Sequence, residues 1–199
     1  MRPLAALLFA CLFLPRLASA QPAEPPFRLG ALVATVSSEE FDTVETGAGV
    51  LLAWHPTPLV GAEVEVAFHP ADVGQPAFSS GRVETLFGVT IGASSGRFRP
   101  FAKIRPGILR FWKAPEPVAC IAIFPSPVQC TLAAGKTVVG LDLGGGFELL
   151  TTRRTFVRVD AGDRLLSFPG PVRDREGRPR EDGYFAHDLR IAVGGGLRF

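Results

Sequence analysis

The chain consists of short segments in which apolar and polar residues alternate. The clearest lies at 60–68, where Val64 and Val66 share one face and Glu63 and Glu65 the other. A period of two is typical of β-strands with two chemically different faces. Each segment is about ten residues long, the length that a tilted strand needs to cross a bilayer. Eight such segments are predicted, at 27–36, 47–54, 60–68, 82–92, 100–111, 137–149, 155–165 and 188–199.

The predicted connections alternate between short and long. Those after the second, fourth and sixth strands have a few residues each, whereas the long ones cover 37–46, 69–81, 112–136 and 166–187. Strict alternation is typical of transmembrane barrels, in which short turns face the periplasm and long loops the exterior. Within the fifth strand, Pro106 predicts a β-bulge, because proline cannot donate a hydrogen bond to the ladder.

The first twenty residues are typical of a secretory signal peptide. Arg2 is basic, an apolar stretch follows, and Ala18-Ser19-Ala20 is an A-x-A-like cleavage site. We therefore expect a signal peptide at 1–20, a proline-rich leader at 21–26 and one barrel domain at 27–199. Cleavage removes two of the 21 basic residues and leaves 19, equal to the 19 acidic ones. A neutral chain has no basic excess that would favour nucleic-acid binding.

Alternation alone does not say which face points outward. The export signal, the loop asymmetry and the terminal aromatic Phe199 favour an apolar outer face against lipid, with the charges inside. Glycines concentrate on the charged face, as a narrow interior requires. Buried charges persist when they are paired, so we expect a closed, salt-bridged interior. The predicted inward charges are Arg28, Glu63, Glu65, Arg82, Glu84, Lys103, Arg105, Asp142, Glu148, Arg158, Asp160, Arg190 and Arg198.

Three runs carry a resemblance to a known family: 141–148 (LDLGGGFE), 155–162 (TFVRVDAG) and the closing 188–199 (DLRIAVGGGLRF). They resemble the small OmpA/OmpX-type outer-membrane barrels of Gram-negative bacteria. The resemblance implies an all-β, eight-stranded, antiparallel up-and-down transmembrane barrel in the outer membrane. It also implies that Phe199 belongs to the signal read by the barrel-assembly machinery. Outer-membrane lipids and lipopolysaccharide are the expected partners of a monomer, and the anchoring role of members with a peptidoglycan-binding domain is not expected.

Few residues outside the strands suggest chemistry. Cys120 and Cys130 form an even pair in an exported chain, which predicts a disulfide that staples the longest loop. The three histidines lack metal-ligand spacing, and no serine has a G-x-S-x-G context. We expect no metal, no cofactor and no catalytic site.

These patterns favour an integral outer-membrane barrel with a structural or surface-interaction role exercised by its outer loops. One alternative is a lipid-modifying enzyme, with loop-borne Ser79 or Ser80 beside His69, or Ser167 beside His187. The other is a soluble, exported, lipocalin-like lipid carrier. That carrier requires an apolar interior, so Val64 would be buried and Glu63 accessible to water.

Overall fold

The computed structural model describes residues 25–38, 43–70, 81–93, 95–112, 135–169, 172–173, 179–181 and 183–199. None of these segments forms a helix of the length and hydrophobicity needed to span a bilayer. The regular structure they contain is β-strand. The strands are β1 Phe27–Ser38, β2 Thr43–Trp54, β3 Val60–His69, β4 Arg82–Gly92, β5 Phe98–Phe111, β6 Thr137–Leu150, β7 Thr155–Phe168, β8 Val172–Arg173, β9 Pro179–Arg180 and β10 Tyr184–Arg198.

Eight of these strands close into one barrel in the order β1-β10-β7-β6-β5-β4-β3-β2, with every neighbouring pair antiparallel. Closure joins the first strand to the last, from Arg28 opposite Arg198 to Ser38 opposite Asp188. The eight-stranded, antiparallel, up-and-down barrel predicted from the alternation is therefore confirmed. The remaining pair, β8 and β9, forms a two-stranded ladder outside the barrel sheet.

The apolar face of the barrel points outward. On β3, Glu63 and Glu65 are 3% and 1% exposed, whereas Val64 between them is 46% exposed. The same alternation of buried and exposed positions holds over the whole of β5. A lipocalin-like carrier requires the opposite arrangement, so that alternative is wrong for this chain.

The bulge predicted at Pro106 is absent. The register between β5 and β6 is constant from Phe98 to Arg110, and Pro106 lies opposite Leu141. Burial alternates through Pro106 without a break. On the other side of β5, the ladder with β4 is interrupted between Leu86 and Val89 and resumes in the same register. β5 thus accommodates Pro106 by losing backbone pairing with β4 at this point, and no extra residue is inserted.

The strands extend beyond the apolar belt on the side of the predicted long loops. Residues 37–38 and 43–46, predicted as loop, are paired between β1 and β2, so the connection shrinks to 39–42. Residues 166–168 and 184–187 likewise belong to β7 and β10. Apolar alternation fades where a strand leaves the belt, but backbone hydrogen bonding continues. The strict alternation of connection lengths therefore fails at the first connection.

The two ends of the barrel differ in their connections. The turn end carries the connections 55–59, 93–97 and 151–154, together with the start of β1 and the end of β10. The loop end is the opposite one.

Candidate functional site in the barrel interior

Arg105 on β5 is the centre of an ion network inside the barrel, and none of its surface is exposed. Its Nε donates to Asp142 Oδ2 on β6 at 2.8 Å, and its Nη1 donates to Glu65 Oε2 at 2.8 Å and Glu63 Oε1 at 3.2 Å on β3. A guanidinium presents five donors in one plane, so a single side chain can serve several carboxylates. Arg105 therefore links carboxylates on two walls of the barrel.

Asp160 on β7 is a second junction of the network. It binds Lys103 Nζ on β5, and its Oδ2 accepts from Arg158 Nε at 3.0 Å. Arg158 also donates to Glu63 Oε2 at 2.7 Å, and Arg190 on β10 lies 3.5 Å from Asp160 Oδ1. All of these groups are at most 4% exposed. Because each charge has oppositely charged neighbours, the desolvation cost of burying it is offset.

Arginines predominate in the layer at the turn end. Glu148 binds Arg28, and its carboxylate lies 3.3 Å from Arg99 Nη1 and 3.7 Å from Arg158 Nη1. Three guanidinium groups thus converge on one buried carboxylate.

His55 covers this layer from the connection between β2 and β3. It is 8% exposed, and neither ring nitrogen has a hydrogen-bond partner within the described part of the chain. A Cβ on Gly61 would lie 2.5 Å from His55 Nε2, so only glycine leaves room for the ring. Burial and the charges of Arg28, Arg99 and other arginines lower the pKa of His55 to about 3. The ring is therefore neutral at neutral pH.

The layer towards the loop end is built on Arg164. This side chain, with no exposed surface, binds Glu84 on β4 and Asp188 on β10. Further out, Arg82 Nη1 lies 3.0 Å from Glu45 Oε2, and the Glu45 side chain is 24% exposed. Pairing thus continues to the rim of the barrel.

An apolar plug closes part of the loop end. The Tyr184 ring is partly buried against this plug and stacks on Phe168 with ring centroids 5.1 Å apart. The plug consists of Leu109, Phe111, Val138, Leu166, Phe168 and Ala186.

Glycines make room for the ions. A Cβ on Gly88 would lie 2.9 Å from Arg105 Cγ, and one on Gly162 would collide with Asp142 Oδ1. An interior cavity between Gly30, Arg158 and Ala192 has a volume of about 10 Å³. That is about the space that one water needs. Side chains therefore fill the described interior around these positions.

The inward charges named from the sequence are all buried on the inner face of the barrel. Sequence reasoning missed Arg99, Arg164 and Asp188, which are buried among them. Arg164 lies an even number of positions from Arg158 and Asp160 along the same strand, so the alternation already predicts that it shares their inner face. Arg99 lies just outside the predicted fifth strand.

Other candidate residues lie elsewhere. Phe199 is exposed at the turn end and stacks on Phe27 with ring centroids 6.1 Å apart. Cys120, Cys130 and the signal segment 1–20 lie outside the described residues.

The candidates for lipid-modifying chemistry are not loop-borne as predicted. His69 ends β3 inside the barrel, has no exposed surface and lies 3.7 Å from Glu84. His187 lies on β10 and Ser167 on β7, both in paired strand. His187 Nδ1 lies 3.0 Å from Asp163 Oδ2, and both side chains are more than half exposed. Ser79 and Ser80 lie outside the described residues, and no cluster of metal ligands occurs within the described ranges.

No protein-family model matches the sequence, and no curated protein matches it. Solved structures match the fold. Neisserial surface protein A aligns over 87% of this chain and 97% of its own with a TM-score of 0.55 and 12% identity. Ail, the attachment invasion locus protein of Yersinia pestis, aligns over 89% of this chain and 100% of its own, with a TM-score of 0.52 and 8% identity. The outer membrane protein OprG from Pseudomonas aeruginosa aligns over 88% of this chain and 96% of its own, with a TM-score of 0.50 and 12% identity. The chain therefore has the fold of the small eight-stranded outer-membrane barrels.

Proposed function

We propose that the protein is an integral outer-membrane barrel, not an enzyme, with a structural or surface-interaction role exercised by its outer loops. The observation that carries this proposal is the apolar belt, to which each barrel strand contributes an exposed side chain. In water such a belt would be a very large apolar patch, whereas in a bilayer it faces lipid. One member from each strand is Val33, Leu52, Val64, Phe87, Ile104, Leu143, Val157 and Val193.

The turn end suits the periplasmic boundary of the membrane. Aromatic side chains are exposed around it, and aromatic residues are typical of the level of lipid head groups. Short turns are also typical of the periplasmic side. The aromatic residues are Phe27, Trp54, Phe98, Phe147 and Phe199.

The ion network supports a closed barrel that does not conduct. Arg105, Asp142 and Glu63 lie in the middle of the interior as buried, mutually bonded charges. In this proposal lipids and lipopolysaccharide contact the belt, the barrel-assembly machinery recognises Phe199, and the protein acts as a monomer.

The test is expression in a Gram-negative host. We expect the protein in the outer-membrane fraction, with the heat-dependent gel mobility of folded barrels and without conductance steps in planar bilayers. A soluble periplasmic protein without heat-dependent mobility would contradict the membrane assignment, and steady conductance would contradict the closed interior.

The role of Phe199 is tested separately. Phe199→Ala should lower the assembled fraction in cells, because it removes the terminal aromatic. Phe98→Ala, which changes another exposed aromatic residue of the turn end, is the control. Equal assembly of both variants would remove the recognition role.

A lipid-modifying enzyme is a second candidate, favoured by the bond between His187 and Asp163. A carboxylate that holds one ring nitrogen leaves the other available as a base, and Ser167 lies on the same outer face. Mass spectrometry of lipid A and phospholipids from cells with and without the protein tests it. Changed acylation that His187→Ala abolishes would establish this activity, and unchanged lipids would exclude it.

A further inference from the structure

Exposed arginines gather on one side of the turn end. Arg97 belongs to the connection between β4 and β5, and Arg153 and Arg154 to that between β6 and β7. Leu150 N donates to the carbonyl of Arg97 at 2.8 Å, and Arg198 N donates to that of Arg154 at 2.8 Å. These bonds place the arginines along the rim from β5 to β10. We call Arg97, Arg153 and Arg154 the arginine arc.

No carboxylate of the turns balances the arc. The connections 55–59, 93–97 and 151–154 contain neither Asp nor Glu. The acidic side chain nearest this end of β6, Glu148, is buried and already bonded to Arg28 and Arg99. Within the described part of the chain, the three arginines of the arc form no ion pair. All three arginines are exposed, so their positive charge is accessible from outside the rim.

The barrel wall beside the arc is apolar and aromatic. Phe98 and Phe147 lie with ring centroids 5.5 Å apart, and Leu149 and Val157 are exposed beside them. A side chain at such a boundary can lay its methylene groups on the apolar wall and extend its charged head to the phosphate level. The guanidinium group also matches a phosphate in bidentate geometry.

The loop end lacks this arrangement in the described ranges. Its exposed Asp163 accompanies His187, and its buried Arg82 is paired with Glu45. Among the described residues, charges of both signs are therefore mixed at that end.

We propose that the arginine arc binds the phosphodiester head groups of anionic phospholipids in the membrane leaflet that surrounds the turn end. The inference rests on the proposed membrane location of the barrel. Attraction of basic side chains to an anionic bilayer surface is worth about 1 kcal/mol per charge, which corresponds to about a fivefold change in affinity. Three arginines on one rim can therefore enrich anionic lipid beside one sector of the barrel.

The experiment is native mass spectrometry of the barrel released from micelles that contain phosphatidylglycerol and phosphatidylethanolamine. The wild type should retain phosphatidylglycerol preferentially. The preference should fall about fivefold for each of Arg97→Gln, Arg153→Gln and Arg154→Gln, and the triple variant should lose it. Replacing all three with lysine should keep most of it, since the charge remains. Arg110→Gln, an exposed arginine near the loop end of β5, is the matched control and should change nothing.

Two results would overturn the inference: a triple glutamine variant that keeps the full preference, or inorganic phosphate that competes as strongly as the lipid. Heat-dependent gel mobility is measured on the same samples. A barrel that folds but shows no lipid preference contradicts only the proposed lipid binding by the arginine arc. A chain without heat-dependent mobility contradicts the proposed membrane barrel. The triple lysine variant is the folding check for the triple glutamine variant.

Discussion

The middle of the barrel and its loop end fill similar spaces in different ways. In the middle, Arg105 and Asp160 are bonded to charges on other strands, and each bond needs a partner at a defined place. At the loop end, Leu109 and Phe168 need only neighbours of suitable volume. An ion left without its partner remains costly, whereas an apolar group that loses a neighbour leaves a void. The two regions should therefore respond differently to substitution.

The largest expected effect follows from Arg105→Met. It removes the cation shared by Glu63, Glu65 and Asp142 and should cost about 3–5 kcal/mol of unfolding free energy. Urea unfolding in lipid vesicles, followed by gel mobility, measures it. Arg110→Met, an outward-facing arginine on the same strand, is the control. A loss equal to that of the control would show that the network contributes no stability.

Leu109→Ala should have the next largest effect. It opens a cavity in the apolar plug and should lower the free energy of unfolding by about 2–5 kcal/mol. The outward neighbour Ile108→Ala is the matched control. Lipid chains can fill the space that Ile108 leaves, so only the transfer cost applies there. The same unfolding assay compares the two. Equal losses would mean that the plug is loosely packed.

Glu45→Gln tests the rim of the network, where pairing is partly open to solvent. The amide oxygen of glutamine can still accept from Arg82, so we expect a loss of about 1 kcal/mol or less, reduced further at high salt. Unfolding at two salt concentrations measures it. A loss as large as that of Arg105→Met would show that the rim pair contributes as much to the free energy of unfolding as the central ion pairs, contrary to this expectation.

The last comparison concerns His55 and pH. The pKa of His55 is about 3 in the folded barrel and 6.5 ordinarily, so between these values the unfolded chain binds a proton that the folded chain does not. The contribution of His55 to the free energy of unfolding is therefore fully present above pH 6.5, and it decreases as the pH falls toward 3. His55→Gln should flatten the pH dependence of unfolding in that range, and His187→Gln on the outer face is the control. An unchanged slope in His55→Gln would contradict the buried neutral ring.

Much of the fold was predictable from particular residues. Alternation around Glu63 and Glu65 separated the two faces of β3, and the pattern predicted the number of barrel strands. The ends of the strands were less predictable, because Ser37, Ser38 and Thr43 are paired although no apolar face marks them. The bulge at Pro106 was predicted wrongly, because an outward proline in a long strand costs a pairing step and does not change the register.

The sequence by itself determined which residues share a face, because side chains of a strand alternate whatever surrounds them. Only the tertiary structure decided which charges meet. Arg190 binds Glu65 across 125 residues of chain, and Arg28 binds Glu148 across 120. Such pairs depend on the register of the strands and on closure of β1 against β10, so no local pattern contains them. The pairing of β5 with β6 likewise brings Arg97 to the same rim as Arg153 and Arg154, although two separate turns supply them.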